Sequence, residues 1–265
     1  RGVGSRPPRD HACSTRLCLV RISSVIANST SRWAIRSNDI LIIMKKLVIF
    51  DLDGTLLNTI EDLGQAANHA LQQNDYPTHS IASYPFFVGN GVRKLMERVL
   101  PENSRDAQTV DALLKDFKAY YDEHLHDYSK PYQGIVEMLE ELSDKGVKLA
   151  VASNKYYEAV QRLIAYAFPG IDFVAVEGQK EGVNVKPDPS IVFNILAQAH
   201  VEKADTLYVG DSGVDMETAR RACVDSVGVS WGFRPVKELT EYRADTIINS
   251  PAEILPIVES GIPLK

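Results

Sequence analysis

The sequence predicts an α/β fold built on a doubly wound parallel sheet, with a small all-helical segment inserted after the first strand. Short apolar runs typical of buried strands alternate with helical patterns from Lys45 onward, and this alternation predicts βαβ units. The first run, over 47–50, is continuously apolar, as in a parallel strand covered on both faces. The interval 53–130 instead shows helical periodicity without a strand pattern. The 265 residues are enough for one large domain or two modest ones.

Residues 1–43 differ in composition from the rest of the chain. They contain seven arginines and seven serines but two acidic residues, without a helical or strand period. This composition is compatible with an organelle transit peptide. However, Met44 directly precedes the first predicted strand. We therefore expect residues 1–43 to be a disordered N-terminal extension, such as translated upstream sequence, that takes no part in the fold.

Charge and hydropathy exclude several classes of partner. The net charge of −6 argues against nucleic acid as the main partner. No uninterrupted apolar stretch has the length needed to cross a bilayer, and the three cysteines are scattered. We expect a cytoplasmic protein without a membrane or nucleic-acid partner, present as a monomer or homodimer.

The elements follow in order along the chain. Ile135, Met138, Leu139 and Leu142 repeat at helical spacing, and Gly146 is placed to end that helix. Asp188-Pro189 predicts an N-cap and first turn for the helix that follows. The predicted strands share short β-prone apolar runs and lie at 46–51, 148–153, 172–177, 206–211, 226–230 and 245–248.

The helical interval predicts a second domain. The segments "GVRKLMERVL" and "VDALLKDFKAYY" each place their apolar residues on one face. We therefore predict a core domain formed by 44–59 and 131–265, and a helical cap domain over 60–130. Because the cap is inserted after the first strand, it would stand over the edge where that strand ends, as a lid.

Polar side chains cluster where the predicted strands end. Asp51 and Asp53 follow the first strand, in an open α/β sheet whose carboxyl edge is the usual ligand site. The alternative for this pair is an acidic Asp-Gly turn without a catalytic function. The remaining members of the cluster lie at or just beyond other sheet-edge positions: Ser153, Asn154, Lys186, Asp211 and Asp215.

This set of residue types suits phosphoryl transfer. Several carboxylates held together repel one another unless a cation neutralises them, and an all-oxygen donor set favours Mg²⁺ over zinc. Ser153 and Lys186 would hold phosphoryl oxygens. Asp51 could then attack phosphorus, and Asp53 could act as general acid and base. We therefore expect the partner to be a small phosphorylated metabolite.

The ordered motifs "DLDGT", "SN", "KPDP" and "GDSGVD" resemble those of the haloacid dehalogenase superfamily, over residues 44 to about 250. The resemblance implies a Rossmann-like core with an inserted cap, Asp51 as nucleophile and Asp53 as acid/base. It also implies phosphate binding by the Ser153-Asn154 pair and Lys186. The implied Mg²⁺ ligands are Asp51, the backbone carbonyl of Asp53, Asp211 and Asp215. For Asp215 two roles stay open: it supports the metal through water, or it orients Lys186.

The cap stretch "FFVGNGVRKLMERVLP" and the segment "PYQGIVEMLEEL" resemble phosphoglycolate phosphatases within that superfamily. The resemblance implies 2-phosphoglycolate as substrate, hydrolysed through an aspartyl-phosphate. Gly89, Asn90, Gly91 and Arg93 would then form an anion site on the cap, through backbone N–H groups and the guanidinium. An ordinary glycine turn at a helix start explains the same residues equally well.

Other functions are compatible with the same core motifs. A beta-phosphoglucomutase-type phosphomutase would return the phosphoryl group to a sugar, and a related phosphatase would act on sugar phosphates, nucleotides or pyrophosphate. A regulatory binding module is the alternative outside enzymology. The complete residue set argues against it, since a non-catalytic module has no need of Asp51 or Lys186.

Overall fold

The structure, a computed structural model, describes residues 45–260. The predicted N-terminal extension over 1–43 lies outside the described residues. The strands are β1 Leu47–Phe50, β2 Leu57–Asn58, β3 Lys130–Pro131, β4 Lys148–Tyr156, β5 Phe173–Gln179, β6 Thr206–Gly210, β7 Asp225–Val229 and β8 Thr246–Ile248. The helices are α1 Ile60–Gln73, α2 Val92–Val99, α3 Ala107–Glu123, α4 Ile135–Asp144, α5 Tyr157–Ala167, α6 Ser190–Ala199, α7 Gly213–Ala222, α8 Val236–Glu241 and α9 Ile254–Ser260.

Six strands form one parallel sheet in the order β5-β4-β1-β6-β7-β8. The strand β1 lies in the middle, between β4 and β6, so the chain winds outward from it in both directions. This arrangement confirms the predicted α/β class. It also places the carboxyl end of β1 at the reversal of strand order, where ligands bind in open α/β sheets.

Helices cover both faces of the sheet, and β1 shows why its sequence is apolar throughout. Val48 and Phe50 pack into the larger core cluster, with residues of α4, α5 and α9. Leu47 and Ile49 point to the opposite face and pack with residues of α6 and α7. Because successive side chains of a strand alternate between faces, a strand buried on both faces needs an apolar residue at every position.

Within the described residues, the segment between β2 and β3 contains helices and no strand, as predicted. Its helices α1, α2 and α3 pack on one another, with Leu95, Met96 and Val99 of α2 buried. The prediction missed β2 and β3, which pair antiparallel where the chain leaves and re-enters the core. Two-residue strands are too short to show the alternation of apolar and polar residues that identifies a strand, so the sequence does not predict them.

The strand β4 ends at Tyr156, three residues later than predicted. It therefore contains three consecutive polar residues, Ser153, Asn154 and Lys155. Its pairing with β5 is irregular between Ala152 and Tyr156, which marks a bulge. All three polar residues are buried. A bulge redirects side chains that would otherwise alternate, and here it brings three consecutive polar residues to the carboxyl edge of the sheet.

The predicted end of α4 and the predicted start of α6 are correct to within a residue or two. Gly146 follows α4 with φ +76°, as expected for a residue that ends a helix. The helix α6 begins at Ser190, one residue later than the predicted N-cap implies, but the Asp188 carboxylate still accepts the Ser190 N–H at 2.9 Å. Within 45–260, no helix is both long enough and apolar enough to cross a membrane.

Candidate active site

The buried ammonium of Lys186 lies at the centre of the strand-end cluster. Its Nζ donates to Asp51 Oδ1 at 2.8 Å, to Asp215 Oδ1 at 2.7 Å and to the carbonyl of Ala152 at 2.9 Å. The Lys186 side chain is 2% exposed, so these contacts replace water almost completely. Lys186 thereby joins the ends of β1 and β4 to the first turn of α7.

Both carboxylate oxygens of Asp215 accept hydrogen bonds from residues of the site. Its Oδ1 accepts from Lys186, and its Oδ2 accepts from the backbone N–H and the hydroxyl of Ser212, at 3.1 and 2.6 Å. The Ser212 contacts form a capping box that starts α7. Because both Asp215 oxygens already accept hydrogen bonds, this carboxylate holds Lys186 in position.

The third buried carboxylate, Asp211, directly follows β6 and is held from the other side of the site. Its Oδ2 accepts the backbone N–H of Phe233 at 2.7 Å. One oxygen from each of Asp51, Asp211 and Asp215 lies within 4.8 Å of the others. Four residues separated by up to 164 positions in the chain, counting Lys186, therefore converge at one point, as the strand ends predicted.

Burial and mutual repulsion set the protonation of this cluster. Burial, and then the charge of Asp215, raise the pKa of Asp51 to about 7, although Lys186 opposes the shift. Burial, followed by the charges of Asp215 and Asp51, raises the pKa of Asp211 well above its usual range. Burial alone would lower the pKa of Lys186, but Asp215 and Asp51 raise it.

The cluster fits a hard divalent cation. The donors available at this point are carboxylate oxygens, which suit Mg²⁺. Three buried carboxylates face the single ammonium of Lys186, and burial, followed by the charges of neighbouring carboxylates, raises the pKa values of Asp51 and Asp211. Asp51 and Asp211 each keep an oxygen that does not contact Lys186 or Phe233, so both can serve as ligands.

Asp53 lies beside the cluster with its own partners. Its Oδ1 accepts from the Thr59 hydroxyl at 2.6 Å, and both of its oxygens lie within 3.0 Å of Lys155 Nζ. The Lys155 side chain is 4% exposed and also lies over the ring of Tyr121. Sequence reasoning missed Lys155. Its position directly after Ser153-Asn154 was the available signal, but a strand that alternates faces would have pointed it away from Asn154.

Ser153 and Asn154 hold different positions in the site. Ser153 lines the pocket, and its hydroxyl accepts the Lys155 N–H at 3.2 Å. The Asn154 side chain accepts from the Lys186 N–H at 2.8 Å and donates to the carbonyls of Lys186 and Gly89, both at 3.1 Å. The side chain of Asn154 thus fixes the loop that carries Lys186 and joins it to the helical insertion.

The predicted anion site on the insertion is only partly at the pocket. Gly89 and Gly91 line it, with φ values of +107° and +84° that favour glycine. Asn90 instead accepts a hydrogen bond from Arg98 Nη2 at 2.6 Å. Arg93 does not line the pocket and pairs with Asp111 on α3. The helix explains this: Val92 faces the pocket, and the next residue is rotated by about 100°.

The helical insertion closes over the strand ends and leaves a small cavity. Its volume is about 60 Å³. Apolar side chains of α2 and α3 form one wall, and Asp51, Asp53 and Lys186 form the opposite one. Two further lining residues, Tyr121 and Arg234, were not predicted from the sequence. These residues therefore form a small cavity between the sheet edge and the helical insertion.

The chain is similar in sequence to known proteins. Residues 48–229 match the family model for haloacid dehalogenase-like hydrolases. A phosphoglycolate phosphatase of Mesorhizobium japonicum is 31% identical, over 77% of this chain and 91% of its own length. Another, of Haemophilus influenzae, is 33% identical, over 80% of this chain and 98% of its own.

Solved structures of similar fold and sequence have related names. A candidate phosphoglycolate phosphatase from Lactobacillus delbrueckii subsp. bulgaricus has a TM-score of 0.77 and 32% identity, over 82% of this chain and 99% of its own. A predicted phosphoglycolate phosphatase from Haemophilus somnus has a TM-score of 0.74 and 30% identity, over 80% and 97%. The family match covers more than half of the chain, and the relatives align along most of their own length. This chain therefore belongs to the haloacid dehalogenase-like hydrolases, as a phosphoglycolate phosphatase-like member of the family.

Proposed function

We propose that this chain is a Mg²⁺-dependent phosphatase of small phosphomonoesters, with 2-phosphoglycolate as its preferred substrate. One observation carries the proposal: Asp51 is held by the buried Lys186 at the switch point of the sheet, close to Asp211, and lines a small cavity. The names of the relatives support the choice of substrate. A cavity of about 60 Å³ favours a small ester over a nucleotide.

The chain's own residues divide the reaction between them. Asp51 attacks phosphorus as the phosphorus–ester oxygen bond breaks, so the phosphoryl group passes to the carboxylate and glycolate leaves. Ser153 and Lys186 bind the phosphoryl oxygens and stabilise their charge. Mg²⁺, when bound by Asp51, Asp211 and the backbone carbonyl of Asp53, supplies positive charge that Lys186 alone does not.

Asp53 handles the protons in both halves of the reaction. It donates a proton to the departing alkoxide oxygen and then removes one from the water that attacks the aspartyl-phosphate, releasing phosphate and regenerating Asp51. In this structure both Asp53 oxygens contact Lys155. Asp53 must therefore exchange part of that contact for the leaving group as the substrate enters.

The test is phosphate release from a panel of esters in the presence of Mg²⁺. We expect 2-phosphoglycolate to give a higher kcat/KM than glucose 6-phosphate, adenosine monophosphate or pyrophosphate. Asp51→Asn should abolish turnover, and Asp53→Asn should reduce kcat by about two to four orders of magnitude. Asp127→Asn, on the exposed surface, is the matched control.

Three results would contradict parts of this proposal. Near-normal activity of Asp51→Asn would exclude the aspartyl-phosphate. Preference for a nucleotide or sugar phosphate would exclude phosphoglycolate but retain the phosphatase. Transfer to a hexose phosphate without net phosphate release, in the presence of a sugar bisphosphate, would identify a phosphomutase instead.

A further inference from the structure

The loop 230–235, between β7 and α8, is fastened to both aspartate-bearing turns of the site. Trp231 Nε1 donates to the carbonyl of Thr55 at 3.1 Å, and the Phe233 N–H donates to Asp211 Oδ2 at 2.7 Å. Between them, Gly232 lies so close to Asp211 that a Cβ atom at this glycine would come within 2.2 Å of the Asp211 Cβ. Arg234, which directly follows Phe233, is therefore held in position beside the pocket.

The guanidinium of Arg234 reaches from the core to the helical insertion. Its Nη2 donates to the carbonyl of Val88 at 3.0 Å. Its Nε lies 3.9 Å from Glu238, whose other oxygen accepts the Gly213 N–H at 2.8 Å. Arg234 lines the pocket, and its side chain is 16% exposed. Its partners are therefore one neutral carbonyl and one carboxylate beyond hydrogen-bond distance.

Arg234 differs in this respect from the other cations at the pocket. Lys186 contacts Asp51 and Asp215, and Lys155 contacts Asp53, all at 3.0 Å or less. Among residues 45–260, Arg234 is the one pocket-lining cation without a carboxylate at such a distance. Its charge is thus available to an anion that enters the pocket.

A second guanidinium strengthens this local positive field. Arg98 of α2 donates to the carbonyls of Phe87 and Val88, at 2.7 and 3.3 Å. Arg234 and Arg98 therefore share the Val88 carbonyl. Two like charges that meet at one neutral acceptor repel each other, and a bound anion would relieve that repulsion.

We propose that Arg234 binds the second anionic group of the substrate, a carboxylate joined to the phosphate by a short spacer, and so determines substrate specificity. The planar fork of a guanidinium matches a carboxylate with two parallel hydrogen bonds, which a lysine cannot reproduce. The inference rests on the proposed function, because it assumes that the phosphate of the same molecule lies at Asp51. It replaces the sequence-based assignment of this role to Arg93.

The experiment compares two esters that differ at one group. 2-Phosphoglycolate carries the carboxylate, whereas 2-hydroxyethyl phosphate carries a neutral hydroxymethyl group in its place. Arg234→Ala should lower kcat/KM for 2-phosphoglycolate by about 10- to 100-fold, mainly through KM. For 2-hydroxyethyl phosphate it should change kcat/KM by about twofold or less, because the lost contact is absent there.

Two further variants separate charge from structure. Arg234→Gln retains a donor for the Val88 carbonyl but not the charge, so it should lose the same preference as Arg234→Ala. Lys237→Ala, a fully solvated neighbour on α8, should retain the wild-type ratio of the two kcat/KM values. Circular dichroism of each variant verifies that the fold is intact.

The outcomes separate this inference from the proposed function. If the wild type prefers 2-phosphoglycolate but Arg234→Ala and Arg234→Gln slow both esters equally, the inference is wrong and the proposed function stands. Loss of the preference in Arg93→Ala instead would place the carboxylate site on α2 and also overturn the inference. If the wild type does not prefer 2-phosphoglycolate, both the proposed substrate and the proposed binding of its carboxylate by Arg234 are wrong.

Discussion

The hydroxyl of Tyr121 is a buried polar group without a hydrogen-bond partner among the described residues. Tyr121 belongs to α3 and lines the active-site pocket. Burial, followed by the charge of Asp53, raises the pKa of this hydroxyl well above its usual range, so it stays protonated and can donate. Unpartnered buried groups are rare and destabilising in folded proteins. A group from the substrate is the partner that its position in the pocket suggests.

Tyr121→Phe should therefore separate stability from activity. Because the substitution removes an unsatisfied hydroxyl, we expect the free energy of unfolding to stay constant or rise by about 1 kcal/mol. The value of kcat/KM for 2-phosphoglycolate should fall several-fold. Urea denaturation and steady-state kinetics measure the two effects.

The matched control is Tyr156→Phe, at another tyrosine that lines the pocket. The Tyr156 hydroxyl donates to Asp122 at 2.6 Å, so its removal should lower the free energy of unfolding by about 1 kcal/mol. If Tyr121→Phe were destabilised as much as Tyr156→Phe, the hydroxyl of Tyr121 would have a partner in the folded protein, and the interpretation would be wrong.

At the scale of elements, the loop 230–235 contacts both Asp211 and the turn that follows Asp53. Gly232 allows this, since its Cα approaches the Asp211 side chain and the Gly54 carbonyl too closely for any other residue. A Cβ atom would lie 2.6 Å from the carbonyl oxygen of Gly54, and backbone atoms cannot yield as a flexible side chain can.

Gly232→Ala should displace the loop or the Asp211 carboxylate. We expect kcat to fall at least about tenfold and the Mg²⁺ concentration for half-maximal activity to rise, because misplacing one ligand weakens the site. Gly170→Ala is the control, since no atom lies within 4 Å of the added Cβ. Equal kinetics for the two variants would show that the loop does not position Asp211.

At the scale of the whole molecule, the acidic cluster should make the free energy of unfolding depend on pH and on the proposed Mg²⁺ ion. The pKa of Asp51 is raised to about 7 in the folded state from an ordinary value of 3.8. Between these values the folded protein binds the proton more tightly than the unfolded chain does. The stability that this group contributes is thus present below about pH 4 and is lost as the pH rises towards 7.

Mg²⁺ should restore the stability lost by ionisation. We expect it to raise Tm more at pH 8 than at pH 5, because its ligands must be deprotonated. At 100 times its Kd the stabilisation would be about 2.7 kcal/mol. Differential scanning calorimetry with Mg²⁺ or with a chelator measures both values.

Asp211→Asn provides the control for this linkage. Without metal at pH 8 the variant should be more stable than the wild type, because one of three repelling carboxylates is gone. Its Tm should respond little to Mg²⁺. An equal Mg²⁺ response in variant and wild type would place the cation elsewhere.

The sequence by itself determined the sheet, its central strand and the convergence of Asp51, Lys186 and Asp211 at one edge of the sheet. The reason is that apolar runs identify parallel strands locally, and the carboxyl ends of parallel strands meet at one edge whatever the loops do. The α/β class was predicted on this basis, and the family was predicted from the resemblance of the ordered motifs; both are confirmed. The role of each residue in catalysis stays a prediction.

The tertiary structure alone decided which side chains face the pocket from outside those strand ends. Lys155 turns inward because β4 bulges, and Arg93 turns outward because α2 presents Val92 to the pocket. Arg234 meets Val88 across 146 positions of the chain. Such contacts depend on how the insertion and a distant loop pack together, and no local period of 2 or 3.6 residues encodes that packing.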